Sequence, residues 1–577
     1  MTYDLRPTIK IKHKAQTWES YEQIAKELNR HFIEGKKTIS LECYPGVNLS
    51  ELEDQLLSKL SDVRLVKADD YAYDADTVTK KISANMTEDR VFGIMSHATL
   101  NDFYPEYEVQ QLQKELVKEK QKIVVYGTGA TILQPEADIL CYADLARWEI
   151  QKRYRKGMPN WKGANEQEDN LKKVKRGFFF EWRVADRLKQ KLTDKIDYLI
   201  DTNIPSQAKM IDGTGYRMAL DQIVKQPFRL VPYFDASVWG GQWMKKEFNL
   251  DPKMENYGWA FDGVPEENSL LLDFSGTEIE IPAINVVHQR PIELLGKKVQ
   301  ARFGNEFPIR FDYLDTVGGG NLSLQVHPRV DYIQEKFGMT YTQNESYYIL
   351  QASDKSTIYL GVKEGTEKAE LFDELRKAEK GDYRFPDEKY INCFPVKKHD
   401  HYSIPAGTIH CGGPDTVVLE ISQTPYIFTF KLWDWERLGL DGIPRPLHLD
   451  HGEENVDIEF DTTWVQENLI NPFVTLQEDK ESRVEKTGLH ELEFIETHRH
   501  WFKKETEVDA QQSVNMLNLV EGEKITIESL HDNFEPFEIH YGETFIVPEA
   551  VKEYKLVNQG DTTKEIAVLQ AFVRNLS

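Results

Sequence analysis

Near residue 220 the rhythm of this chain changes, and that change governs what it can fold into. Before it, short β-branched runs (Thr38–Leu41, Ile123–Tyr126, Tyr198–Ile200) alternate with long charged stretches of helical period over Tyr104–Lys120 and Gln167–Leu192. Strands alternating with helices of this length predict a doubly wound α/β domain, because two parallel strands need a crossover long enough to hold a helix. After it, short strands are separated by Gly, Pro, Asn and Asp, the texture of an all-β barrel or sandwich. One helix interrupts them: Lys363–Lys380 sets Leu371, Leu375 and Ala378 at helical spacing, and Gly381 stops it. The expected division is residues 1–215, then 216–485 with a helical insert near 363–390, then a shorter β-rich stretch, 486–577.

Composition narrows the partners. Among 577 residues, 71 Lys and Arg face 96 Asp and Glu, a net charge of −25. Such an excess repels phosphate backbones and anionic lipid, so neither nucleic acid nor a membrane surface is expected to bind. A small anionic metabolite would need a local cationic pocket. Cys43, Cys141, Cys393 and Cys411 are too scattered for a disulfide framework or a CxxC zinc site. The amino terminus has no apolar core of signal-peptide length, and no apolar run approaches the roughly 20 residues that span a bilayer. The expectation is a soluble, cytoplasmic protein whose oligomeric state the sequence leaves open.

In the amino-terminal part, a strand at Thr38–Cys43, a turn Tyr44-Pro45-Gly46-Val47-Asn48 and a helix from Ser50 follow the layout of a phosphate-binding strand–loop–helix. Residues 1–215 distantly resemble a P-loop kinase of the uridine-kinase type that has degenerated. The GxxxxGK[ST] pattern is absent, and Gly35-Lys36-Lys37 lies on the wrong side of the strand. The run YGTGATIL (Tyr126–Leu133) is a GxG without a third glycine, which reads as a tight strand-to-helix turn. RGFFFEWR (Arg176–Arg183) reads as a buried helix face. Docking, regulation or metabolite sensing fits such a domain better than phosphoryl transfer.

The chemistry gathers in the β-rich part. In NLSLQVHP (Asn321–Pro328) strand alternation puts Ser323, Gln325 and His327 on one face. Taken alone, His327 reads as a satisfied core histidine rather than a ligand. Glu345 opens an apolar, aromatic strand in QNESYYIL, and His410 follows the turn Pro405-Ala406-Gly407-Thr408. Gln, His, Glu and His on successive barrel strands can converge on one ion. Two imidazoles with hard oxygens suit zinc, with a position left open for substrate.

QVHP, the strand-opening Glu345, IPAGTIH, LEI, WDWER and PRPLH together resemble class I mannose-6-phosphate isomerase, a zinc cupin family. SVWGGQWM (Ser237–Met244) and GETFIVPEAVKEYKLV (Gly542–Val557) extend the likeness over roughly residues 228–577. The resemblance implies a double cupin, with a catalytic zinc barrel in 216–485 and a metal-free second barrel in 486–577. It implies one zinc per chain on Gln325, His327, Glu345 and His410. The implied reaction is aldose–ketose isomerisation between mannose 6-phosphate and fructose 6-phosphate, with a small sugar or sugar phosphate as partner. Glu420 and Lys431 then fall at catalytic positions, and Ser323, Gln343 and Arg310 at substrate positions.

Three positions depart from the family. Lys431 stands where it has arginine, one residue further from Glu420 than usual; Gln343 and Asp312 stand where it has lysines, with Arg310 two residues before Asp312 on the same face. These departures open two other expectations: an unphosphorylated or differently substituted hexose, or a sugar-sensing protein without turnover. Elsewhere, His399 and His401 read as an outward-facing polar pair, His448 and His451 as peripheral, and Trp433 and Trp435 as core packing. Cys411 should face away from the ion, because adjacent strand residues point to opposite sides.

Overall fold

The computed structural model describes residues 3–574 apart from 382, 425 and 492. They divide into two compact units, one of residues 8–223 with 269–289, the other of 3–7, 224–268 and 290–574. The expected boundary at 215 falls inside the helix Gly213–Ile223, and the hairpin Ser269–Phe274/Thr277–Pro282 returns to the first unit by pairing with Thr8–Lys10. No helix among the described residues is long and apolar enough to cross a membrane.

The first unit is built on a seven-stranded sheet. Its order is Thr17–Trp18, Lys209–Asp212, Tyr198–Asp201, Ile139–Asp144, Thr38–Cys43, Lys122–Gly127, Val63–Lys67. The last five of these run parallel to one another, and the first two join antiparallel. Long crossovers supply the helices, including Glu106–Lys118 and Trp182–Leu192. RGFFFEWR forms the π-helical turn Gly177–Glu181 that joins Asn170–Arg176 to Trp182–Leu192, and Phe178, Phe179 and Phe180 are fully buried there.

Neither of its glycine turns is an open phosphate cradle. A side chain at Gly46 would strike Ile150, and Arg153 Nη1 donates to the Gly46 carbonyl (2.9 Å). In the GxG turn Gly127 and Gly129 both have positive φ (112° and 91°), which only glycine adopts cheaply. The amides of Gly129 and Thr131 donate to the buried carboxylate of Glu42 (2.6 and 2.8 Å). A helix start that would welcome an anion is thus given one of the chain's own. Burial pushes the Glu42 carboxyl up to about 7, although these donors pull the other way.

The second unit holds two β barrels, each of two antiparallel sheets. In the first, a six-stranded sheet runs His401–Ile404, Asn344–Ala352, Thr416–Gln423, Arg310–Asp315, Trp259–Gly263, Tyr233–Asp235. The facing five-stranded sheet runs Ile391–Pro395, Thr357–Val362, His410–Gly412, Leu324–Val326, Phe430–Trp433. Arg310–Asp315 and Thr416–Gln423 are buried at every residue, because one side of each lines the barrel interior and the other is covered. The helical insert is Lys368–Glu379. The second barrel's larger sheet begins before residue 486, at the hairpin Val474–Glu478/Ser482–Thr487. Its interior is apolar, with Phe502, Leu517, Leu519, Ile527, Phe545 and Val568 in one buried cluster. Arg229, paired with Glu543 (2.7 Å), and Tyr313, donating to the Gly542 carbonyl (2.6 Å), fasten the two barrels together.

Candidate metal centre

Strand pairing decides where the polar side chains go. Gln325 lies opposite His410 on one side and Lys431 on the other. In the facing sheet Glu345 lies opposite Ser422, and Arg310 opposite the same Ser422. One step deeper, Asp312, Glu420 and Tyr347 form the next cross-strand row on the same face. The turn before His410 is set by Gly407, whose positive φ (94°) lets its amide donate to the His327 carbonyl (3.0 Å).

Three donors converge. His327 Nε2 stands 3.0 Å from Glu345 Oε2, and His410 Nε2 stands 2.9 Å from Glu345 Oε1; all three side chains are fully buried. His327 Nδ1 donates to the Phe428 carbonyl (2.8 Å) and His410 Nδ1 to the Thr408 carbonyl (2.9 Å). A carbonyl can only accept, so each Nδ1 carries a proton and the neutral ring turns a bare Nε2 lone pair inward. Burial pushes the His410 ring down, toward the neutral form. A lone pair aimed at a carboxylate oxygen is repulsive unless a cation lies between them, and His327 Nε2 and Glu345 Oε1 have no hydrogen-bond partner.

The geometry fits a metal ion. One donor atom from each of His327, Glu345 and His410 lies within 4.8 Å of the others. The fourth expected ligand, Gln325, reaches the same point: its Nε2 is 3.1 Å from His410 Nε2, and half a turn of the amide presents Oε1 instead. Tetrahedral donors about 2.0–2.2 Å from one ion stand roughly 3.5 Å apart, so the 2.9–3.1 Å contacts of Glu345 and Gln325 with the histidines need only a small outward shift to admit one. Gln343 Nε2 donates to Glu345 Oε2 (2.9 Å) and its Oε1 accepts the Phe428 amide (2.9 Å). Each end of this amide thus has a partner, and its N–H orients Glu345.

Of the remaining predicted residues, Glu420 faces Glu345, and the others lie on or beside the same strands. Glu420 is buried on the metal face; burial, then the charges of Glu345 and Asp312, hold its carboxyl well above the usual range. Arg310 Nε donates to Asp312 Oδ2 (2.7 Å), so its charge is matched. Lys431 is half-buried, with its amide donating to His448 Nδ1 (3.3 Å). Ser323 Oγ donates to Asp434 Oδ1 (2.8 Å) and accepts from Arg445 Nη1 (2.9 Å). Asp434, Arg437 and Arg445, clustered there, lie in the WDWER and PRPLH stretches that carry the resemblance, but the sequence did not bring them together with Ser323.

Elsewhere, His399 and His401 are not an outward-facing pair. His401 is fully buried and bonds Thr487 Oγ1 (3.0 Å) and Ser346 Oγ (2.8 Å), because the segment at Gly488 covers that face of the strand. His399 takes a positive φ (73°) and bonds the Tyr348 hydroxyl (2.9 Å). His448 is buried rather than on the surface, supporting the Lys431 strand from behind.

Comparison with known proteins gives two results. Residues 20–225 match a family model described as a domain of unknown function (DUF8485), which lends no support to the kinase resemblance. The chain is also similar to the mannose-6-phosphate isomerase of Streptococcus mutans, 24% identical over 336 residues, 57% of this chain and 95% of that one. The mannose-6-phosphate isomerase ManA of Bacillus subtilis is 25% identical over 235 residues, 40% of this chain and 69% of its own length. A crystal structure of the mannose 6-phosphate isomerase from Bacillus subtilis superposes with a TM-score of 0.49 at 20% identity, covering 60% of this chain and 99% of that one.

Proposed function

We propose that this protein is a zinc-dependent aldose–ketose isomerase, with mannose 6-phosphate and fructose 6-phosphate as its default substrate pair. The observation that carries the proposal is the pair of bare Nε2 lone pairs turned on one buried carboxylate, a donor set that needs a cation. Similarity to proteins named mannose-6-phosphate isomerase supplies the reaction class. Gln325, His327, Glu345 and His410 would hold the zinc. Bound there, it supplies a Lewis acid for the oxygens of the reacting carbons.

The chain's own residues do the rest. Glu420, on the face of the candidate ligands, would in its carboxylate form take a proton from one reacting carbon and return it to its neighbour. Lys431, opposite Gln325 in the sheet, would stabilise the oxyanion that develops meanwhile. Gln343 keeps Glu345 oriented. A free hexose is the second reading, favoured by the absence of charge at Gln343 and by the pairing of Arg310 with Asp312.

The test is a zinc-supplemented isomerase assay across phosphorylated and free hexoses. Turnover that a chelator abolishes and zinc restores is expected, and Lys431→Ala should cost on the order of a hundredfold in kcat, with Lys431→Arg tolerated. No turnover of any sugar by protein carrying stoichiometric zinc would leave a binding protein without catalysis. We also infer that residues 8–223 do not transfer phosphoryl groups, since Glu42 takes up the helix-start amides. ATP hydrolysis by the full chain, surviving Glu345→Gln, would refute this.

A further inference from the structure

We propose that Tyr347 is a positioning residue of the metal centre, its hydroxyl donating to Glu345 Oε1 when an ion is bound and steadying the carboxylate at the oxygen that Gln343 does not hold. The inference rests on the reading of His327, Glu345 and His410 as metal ligands.

The two oxygens of Glu345 are unequally provided for. Oε2 faces His327 Nε2 (3.0 Å) and accepts from Gln343 Nε2 (2.9 Å). Oε1 faces His410 Nε2 (2.9 Å), and that nitrogen is bare, because the ring's proton is on Nδ1 and goes to the Thr408 carbonyl. Oε1 is buried and has no hydrogen-bond donor. An ion would engage one of its lone pairs and leave the other. A desolvated carboxylate oxygen is costly unless a donor meets it.

Tyr347 carries such a donor. It lies two residues after Glu345, on the same face of the strand Asn344–Ala352. Its side chain is fully buried, and its hydroxyl has no hydrogen-bond partner. The ring meets the His410 imidazole edge-on, with centroids 5.8 Å apart and planes at 79°, so the phenol stands beside the imidazole that Oε1 faces. Burial, then the charges of Glu345 and Glu420, hold the phenol well above its ordinary range, and it keeps its proton. The Glu345 carboxylate acts on it as an acceptor as well as a charge. The pair lacks only the alignment that a turn of the carboxylate onto an ion would supply.

Packing alone does not account for this residue. Phenylalanine would fill the same space without burying an unpaired hydroxyl. One other hydroxyl on this face is a rival: Ser422 lies directly across from Glu345, and its Oγ is also buried without a partner. It lies across from Arg310 as well, on its other side, and it serves as the control.

The experiment measures zinc affinity by competition with a chromogenic chelator, and thermal unfolding with and without zinc, for the native chain, Tyr347→Phe and Ser422→Ala. Tyr347→Phe keeps the ring and deletes one oxygen. We expect it to weaken zinc about 10-fold, while Ser422→Ala changes the affinity less than about twofold. The Tm of the zinc-loaded Tyr347→Phe protein should fall, and that of the chelator-treated protein should hold or rise, since the deleted hydroxyl is unpaired there. A side chain that only packs would move both Tm values together, and that result overturns the proposal. Cobalt in place of zinc should give a shifted visible spectrum in Tyr347→Phe, as the carboxylate turns. Unchanged zinc affinity in Tyr347→Phe refutes the proposal while the metal reading stands, and a rise in KM alone would then give the hydroxyl to the sugar. A loss in Ser422→Ala with none in Tyr347→Phe would give the role to the serine. If the native protein binds neither zinc nor cobalt, the metal reading fails, and the proposal fails with it.

Discussion

The two barrels of the second unit share an architecture and differ in what fills them. In the second, Phe502, Leu517, Ile527, Phe545 and Val568 close the interior, and a neutral polar chain runs through it: His500 Nε2 meets Gln570 Oε1 (2.8 Å), and Gln570 Nε2 and the Tyr554 hydroxyl both donate to Asn515 Oδ1 (2.8 and 3.0 Å). In the first, Gln325, His327, Glu345, His410, Asp312 and Glu420 occupy positions where apolar residues would pack. Burying such groups without full compensation costs several kcal/mol each, and a barrel that does so needs support. The lesson is a division of labour. One barrel contributes packing, and the other spends stability on an ion site while being fastened to the first through Arg229–Glu543 and Tyr313–Gly542.

Four experiments would break or sharpen this contrast. The largest effect is expected from His327→Ala, which should abolish stoichiometric zinc and lower turnover on the order of a thousandfold or more. Elemental analysis of the purified variant is the check, and a retained full equivalent would mean the ion is held elsewhere. Phe545→Ala should cost about 3–5 kcal/mol in denaturant unfolding, because it opens a cavity in the apolar interior, yet leave zinc content unchanged. Loss of zinc in parallel would show that the barrels are not divided in this way.

A smaller effect is expected at Gln343. Removing its amide in Gln343→Ala frees Glu345 to rotate and should weaken zinc about 10- to 100-fold, measured by competition with a chromogenic chelator. Unchanged affinity would return Gln343 to the substrate.

The fourth experiment is a pH series. Burial pushes His500 down to about 4, and burial with the nearby Arg499 charge pushes His401 down to about 3. An unfolded imidazole titrates near 6.5, so between that value and the folded one the unfolded chain binds more protons. The stability these rings contribute is present above about pH 6.5 and is lost as pH falls, by about 2 kcal/mol each on reaching pH 5. Unfolding at pH 7, 6 and 5 should show this slope, and His500→Gln should reduce it by one proton; an unaltered slope would place the sensitivity in the metal barrel.

Much of this was legible in the chain itself, because it depends on local patterns. The period change near residue 220 separates strand–helix alternation from short strands, and alternation within NLSLQVHP puts Ser323, Gln325 and His327 on one face without knowledge of any partner. The turn at Gly407 fixes where His410 emerges. Those signals made Gln325, His327 and His410 candidates, and it was the resemblance to mannose-6-phosphate isomerases that joined them with Glu345 into one expected set. What they could not reveal was the company each side chain keeps, since register across strands is set by packing between distant segments.

Tertiary structure alone decided that Gln343 turns back on Glu345, that Arg310 is matched by Asp312, and that Arg445 arrives beside Ser323 across more than a hundred residues of chain. It also decided that His401, polar and flanked by polar residues, is sealed in, because the segment covering it comes from residues 487 and 488. The same reason governs the first unit. A GxG turn reads alike whether its amides face a phosphate or a carboxylate of the chain, and it is Glu42, brought in from the neighbouring parallel strand, that makes the difference. Periodicity is a property of a segment, whereas charge compensation is a property of a place, and a place exists once the chain has folded.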